Sequence, residues 1–85
     1  MAKATIDNLD PELVEFIRLN ELNKKTGKLI YQFATYRGFR EAIKTAQRVA
    51  GVDENGVMSD EALKAINAVP EDDFVKGFEL EIQGY

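Results

Sequence analysis

Tyr36, Arg37, Arg40 and Lys44, followed by Gln47 and Asn55, are the side chains of this sequence best suited to holding a ligand. Arg37, Arg40 and Lys44 recur at helical spacing, so a helix through them carries a basic stripe. Tyrosine beside such a stripe offers a flat ring for a sugar face and a hydroxyl for a hydrogen bond. Guanidinium and ammonium groups suit carboxylates. Each residue also has a plainer reading. Tyr36 fits a half-buried core position, and the stripe, extended to Arg48, fits pairing with acidic segments elsewhere in the chain. Gln47 fits a brace for the loop at Asn55-Gly56, because buried amides usually serve backbone groups.

The residues that are missing narrow the chemistry. The 85 residues contain no histidine and no cysteine, which removes the commonest general base, zinc sites built on Cys and His, and any disulfide framework. No EF-hand spacing stands among the acids, and no cofactor or metal is expected. The net charge of −4 hides an asymmetry. Seven of the eleven basic residues fall within residues 24–48, against the single acid Glu41, while residues 53–85 hold nine acids against Lys64 and Lys76. No run approaches the ~20 apolar residues of a membrane span, so no membrane partner is expected. "MAKATIDNLD" has no apolar signal core; if the protein acts outside the cytoplasm, something else is expected to carry it there.

The elements that position these residues read as helices. Asp10-Pro11-Glu12 is a helix start, and Leu13, Phe16 and Ile17 are its expected buried stripe. That helix is expected to end around Asn23 to Gly27. A second runs from about Lys28 to Tyr36, with Leu29, Ile30, Phe33 and Ala34 inward, and Gly38 interrupts it. Phe39, Ala42, Ile43, Ala46 and Ala50 restart the pattern, and Gly51 stops it. Residues 28–50 fit one kinked helix or two. Asn55-Gly56 marks a turn. Ser59 caps the next helix, with Asp60 and Glu61 in its first turn and Leu63, Ala65 and Ile66 as its apolar face. Pro70 opens the last, with Phe74, Val75, Phe78, Ile82 and Tyr85 on one side. The expected fold is all-α: a small bundle of four to five short helices in a single domain.

Residues 46–66, "AQRVAGVDENGVMSDEALKAI", have the helix–turn–helix order of some DNA readers. The would-be recognition helix, however, begins Ser59-Asp60-Glu61 and carries only Lys64, so phosphates would repel it. No nucleic-acid partner is expected.

A longer stretch, "AIKTAQRVAGVDENGVMSDEALKAINAV", resembles the C-terminal half of phage and bacterial lysozyme-like muramidases of glycoside hydrolase family 108, a half described as a predicted peptidoglycan-binding domain. The match runs through Ala42, Gln47, Gly51, Val52, Gly56, Leu63, Ala65 and Ile66, and the resemblance covers residues 28–85. Asn55-Gly56 replaces the family's Asp-Gly turn, Ser59-Asp60 its Gly-Pro, Tyr36 the asparagine of its Asn-x-Gly, and Ala46 the leucine before its glutamine. The family's catalytic glutamate sits in a Glu-Gly-Gly segment with no counterpart in these 85 residues, and the neighbours of Glu21 do not match it. The resemblance therefore implies a non-catalytic module of a phage-type endolysin that binds peptidoglycan through Tyr36, Arg37, Arg40, Lys44, Gln47 and Asn55 and acts at the cell wall. The alternative is a helical domain that docks on a catalytic endolysin partner or on a second copy of itself.

Overall fold

The computed structural model describes residues 11–83, and among them five α-helices and one short 3-10 turn enclose a single core. We label the helices α1 (Pro11–Ile17), α2 (Lys24–Arg37), α3 (Phe39–Ala50), α4 (Asp60–Ala68) and α5 (Glu71–Ile82); the 3-10 turn, Leu19–Glu21, lies between α1 and α2. The expected all-α bundle is what forms. Asp10 and Tyr85, expected as a helix cap and an apolar-face residue, lie outside the described residues.

The core is built from the inward stripes. Ile17, Ile30, Ile43, Ile66, Phe74 and Phe78 are fully buried, and Ala42 and Ala46 let α3 pass close to its neighbours. Phe78 lies at the aromatic centre. Its ring meets Phe33 edge-on with centroids 5.6 Å apart, and Phe74 at 5.5 Å in a stacked arrangement, two geometries that aromatic quadrupoles favour. The Cα radius of gyration, 11.8 Å, matches the value of about 12 Å for a compact chain of this length.

The first third of the chain departs from its sequence reading. α1 ends at Ile17, not at Asn23 to Gly27, because Arg18 adopts the left-handed conformation with φ 54° and turns the chain. Its guanidinium is held by three charge-assisted bonds, two to Glu21 at 2.8 Å and one to Asp60 at 2.6 Å. These ties compensate the strain of a non-glycine residue at positive φ. α2 then starts at Lys24, about one turn earlier than its apolar periodicity suggests, and its first turn is stabilised from outside. The Lys25 N–H donates to the Glu71 carboxylate at 3.2 Å. The Asn23 N–H donates to Asn67 Oδ1 at 2.9 Å, and Asn67 Nδ2 donates to the Glu21 carbonyl at 2.7 Å. Gly27 sits inside α2 rather than ending a helix. A Cβ there would lie 2.9 Å from Leu19 Cδ1 and 3.2 Å from Leu22 Cβ, so glycine lets the 3-10 turn rest directly on α2. Phe16, expected in the buried stripe, is 53% exposed.

The ambiguity over residues 28–50 resolves as two helices. Gly38 closes α2 and opens α3 with φ 97° and ψ 152°, a combination that breaks the helical ladder outright. α3 ends in a Schellman arrangement, with Gly51 at φ 78° and the Val52 N–H donating to the Gln47 carbonyl at 3.0 Å. Ser59 caps α4 as expected, its side chain accepting from the Ala62 N–H at 3.2 Å. Ala62 and Ile66 form the buried face of α4, while Ala65 is only half-buried. The last helix runs on through Ile82 with Phe74 and Phe78 buried, as expected of the segment that Pro70 opens.

Candidate functional site

The corner between α2 and α3 carries the candidate binding residues. Tyr36 lies in the last turn of α2 and is 76% exposed, so the half-buried core reading does not hold for it. The Arg37 guanidinium lies 5.5 Å from the centroid of the Tyr36 ring, within cation–π range. Both side chains are exposed in the last turn of α2, which Gly38 closes.

Arg40 and Lys44 follow one turn apart on α3. Their aliphatic stems flank Gly56, where an added Cβ would lie 3.4 Å from Arg40 Cγ and 3.6 Å from Lys44 Cε. Gly56 has φ 76°, so the turn needs glycine for its backbone as well as for this close approach. The stems of the two basic residues pack on the loop while their charged ends remain at the surface.

Gln47 is 1% exposed and takes the bracing role. Its Nε2 donates to Asn55 Oδ1 and to the Val57 carbonyl, both at 2.9 Å, and its Oε1 accepts from the Gly56 N–H at 3.0 Å. Asn55 Oδ1 also accepts from the Val57 N–H at 3.0 Å, a turn closed by the residue's own side chain. Gln47 therefore shapes the loop from beneath and Asn55 presents it. Of the six sequence-derived site residues, Tyr36, Arg37, Arg40 and Lys44 are open to solvent to differing degrees, Asn55 is exposed on the loop, and Gln47 is enclosed.

The basic segment divides into two roles. Arg48 binds Glu54 at 2.7 Å and Glu81 at 2.8 Å, and Lys25 lies 3.6 Å from Asp72. Both pair with acidic segments; for Arg48 this is the plainer reading of the stripe. Among the described residues, Arg40 and Lys44 make no ion pair. The bond from Arg48 holds the Glu54 carboxyl below its ordinary value, and Lys44 adds a smaller pull in the same direction. The bond from Arg18 does the same for Glu21. A general acid for glycoside hydrolysis needs the opposite shift, so neither Glu21 nor Glu54 is poised for that work.

On the other side of the loop an open recess of about 300 Å³ is lined by Gln47, Val52, Asp53, Asn55, Ser59, Glu61 and Ala62. Its lining is polar and its charged members are both acids. Among the described residues no three Asp or Glu side chains gather closely enough to hold a metal ion, and no helix is long and apolar enough to cross a membrane.

Two features of this surface escape periodicity. One is the pairing of Arg18 with Asp60 across 42 residues of sequence, for which no local spacing gives a signal. The other is the flat stacking of Phe16 on Phe39, centroids 4.5 Å apart with 13° between the planes. Both rings fall at apolar positions of their stripes, and pattern alone does not separate an open ring from an enclosed one. Comparison with known proteins finds no matching protein-family profile and no curated relative.

Proposed function

We propose that the chain is a non-catalytic wall-binding module that holds peptidoglycan on the Tyr36 corner. The observation that carries this reading is the exposed Tyr36 ring, set at a helix break beside Arg37 and next to the loop-anchored cations Arg40 and Lys44. An aromatic face takes a sugar ring, and the neighbouring cations take the carboxylates of the peptide stems. The stems of Arg40 and Lys44 are already ordered against Gly56, which lowers the entropic cost of binding. The resemblance to the C-terminal half of family 108 muramidases points the same way. Nucleic acid is the less suitable polyanion, because the acidic start of α4 adjoins the loop.

Co-sedimentation with purified peptidoglycan tests the proposal. The wild-type chain is expected in the pellet at low salt. Arg37→Glu combined with Lys44→Glu should release most of it and flatten the salt dependence of what remains, since salt screens the charged contacts. Tyr36→Ala should weaken pelleting while leaving the salt dependence unchanged. A wild-type chain that stays in the supernatant at low salt removes the wall-binding reading. The ion pairs of Lys25 and Arg48 would then belong to a helical domain whose outer charges serve a protein interface.

A further inference from the structure

Asn55 is followed by glycine, and no other asparagine of the chain is. Asn-Gly is the dipeptide most open to deamidation. Glycine places no Cβ beside its nitrogen and leaves the backbone free to turn that nitrogen onto the side-chain carbonyl carbon. In the reaction the Gly56 nitrogen loses its proton and attacks Cγ of Asn55. The N–Cγ bond forms, the Cγ–Nδ2 bond breaks, and ammonia leaves with the proton. Water then opens the cyclic succinimide at either carbonyl, giving aspartate or isoaspartate with no change of oxidation state. The structure ties down both partners in this step. The Gly56 N–H donates to Gln47 Oε1 at 3.0 Å in a buried bond, beneath a glutamine that is 1% exposed. A base from solvent does not reach that proton while the bond stands, and removing it would leave a negative nitrogen facing a carbonyl oxygen away from water. Asn55 Oδ1 accepts from Gln47 Nε2 at 2.9 Å and from the Val57 N–H at 3.0 Å, which holds the carboxamide in the turn. Those two donors also oppose protection in one respect, since they would stabilise charge growing on Oδ1 as the adduct forms. The nitrogen decides the outcome, because no adduct forms before it gives up its proton.

We propose that Asn55 is a latent deamidation site and that Gln47 holds it unreactive, so that the side chain converts only when the loop between α3 and α4 opens. Local opening of this kind costs less than global unfolding and exposes the Gly56 N–H to base. The two products then differ in what they do to the loop. Aspartate adds a carboxylate at a position where the turn already accepts hydrogen bonds. Isoaspartate adds a methylene to the backbone and moves Gly56 off the Gln47 brace. Neither change reverses when the loop closes, so each converted chain records an opening. The proposal stands apart from the wall-binding reading and does not depend on any ligand.

The test incubates the full chain in mildly alkaline buffer, folded and in guanidinium chloride, and follows conversion of Asn55 by mass spectrometry of the peptide that contains it. Conversion in the folded chain is expected to be at least about tenfold slower than in denaturant, because the loop must first open. Gln47→Ala should speed conversion under folding conditions. Gly38→Ala is the control: it strains the backbone at φ 97° and leaves the Gln47 bonds in place. At a matched unfolded fraction, Gly38→Ala should convert about fivefold or more slowly than Gln47→Ala, the factor that an orphaned buried donor supplies. Hydrogen exchange of the Gly56 amide in the wild-type chain decides the matter even where Gln47→Ala does not fold, and slow exchange is expected. A folded wild-type chain that converts as fast as the denatured one overturns the proposal. So does a Gln47→Ala variant no faster than Gly38→Ala, or a Gly56 amide that exchanges as freely as in the unfolded chain.

Discussion

Gln47 is the residue on which the loop depends most. Replacing it with alanine leaves the Gly56 N–H enclosed without an acceptor and frees the Asn55 side chain from one of its two donors. An orphaned buried donor costs about 1–3 kcal/mol, so Gln47→Ala should lower the free energy of unfolding in urea by about 2–3 kcal/mol. Gln47→Glu should be comparably damaging, because an ionised carboxylate has no N–H to give Asn55 Oδ1 and the Val57 carbonyl. The bracing role was legible in the sequence: an amide eight residues before Asn55, on the apolar side of a helix, has backbone groups of the loop as natural partners. The openness of Tyr36 was one of its two readings, and that of Phe16 was not expected. Both sit at positions where 3.6-residue periodicity allows inward or outward placement, and the choice depends on where the neighbouring helices end.

At the scale of elements, the decisive points are the breaks. Gly38 holds φ 97° and ψ 152°, in a region that side chains with a Cβ tolerate only at about 1–3 kcal/mol. Nothing lies within 4 Å of the position a Cβ would take there, so backbone strain alone should govern a substitution. Gly38→Ala is expected to destabilise the fold by that amount, and calorimetric melting measures it. Glycines and capping residues were the most readable features of the chain, which is why the boundaries at Gly38, Gly51 and Ser59 stand where expected. The boundary at Arg18 was hidden. Its left-handed turn is secured by Asp60, a residue of another helix, and long-range electrostatics of this kind leave no mark on local spacing. The early start of α2 has a similar cause, since Glu71 and Asn67, far along the chain, satisfy the amide groups of Lys25 and Asn23.

At the scale of the whole molecule, two arginines link distant parts of the bundle and make its stability depend on acidity. Arg18 ties the 3-10 turn to the start of α4, and Arg48 ties the loop at Glu54 to α5 at Glu81. The Glu21 and Glu54 carboxyls consequently titrate below the ordinary value of 4.5. Their contribution is complete above that value. As pH falls below it, the unfolded chain takes up protons while the folded chain still resists them, so stability declines until the folded carboxyls are protonated as well. Melting temperature should therefore drop as pH is lowered through and below 4.5. Arg48→Gln should make that drop shallower, chiefly by lowering stability at neutral pH, and melting curves at a series of pH values compare the two proteins. Both groups are solvent-exposed, so the effect is expected to shrink in high salt. The all-α architecture was readable from composition and periodicity together. The network that joins its ends was not, because each of its long-range pairs spans separate elements.

The loop between α3 and α4 has the outward marks of a dispensable connector: it is short, polar and rich in turn residues. Such tips are ordinarily where a chain accepts a cut, a graft or an epitope tag. Here the buried carboxamide beneath Gly56 makes the connector part of the scaffold. An engineer seeking a permissive place to splice foreign sequence into this protein should pass over the Asn-Gly turn, however inviting it looks.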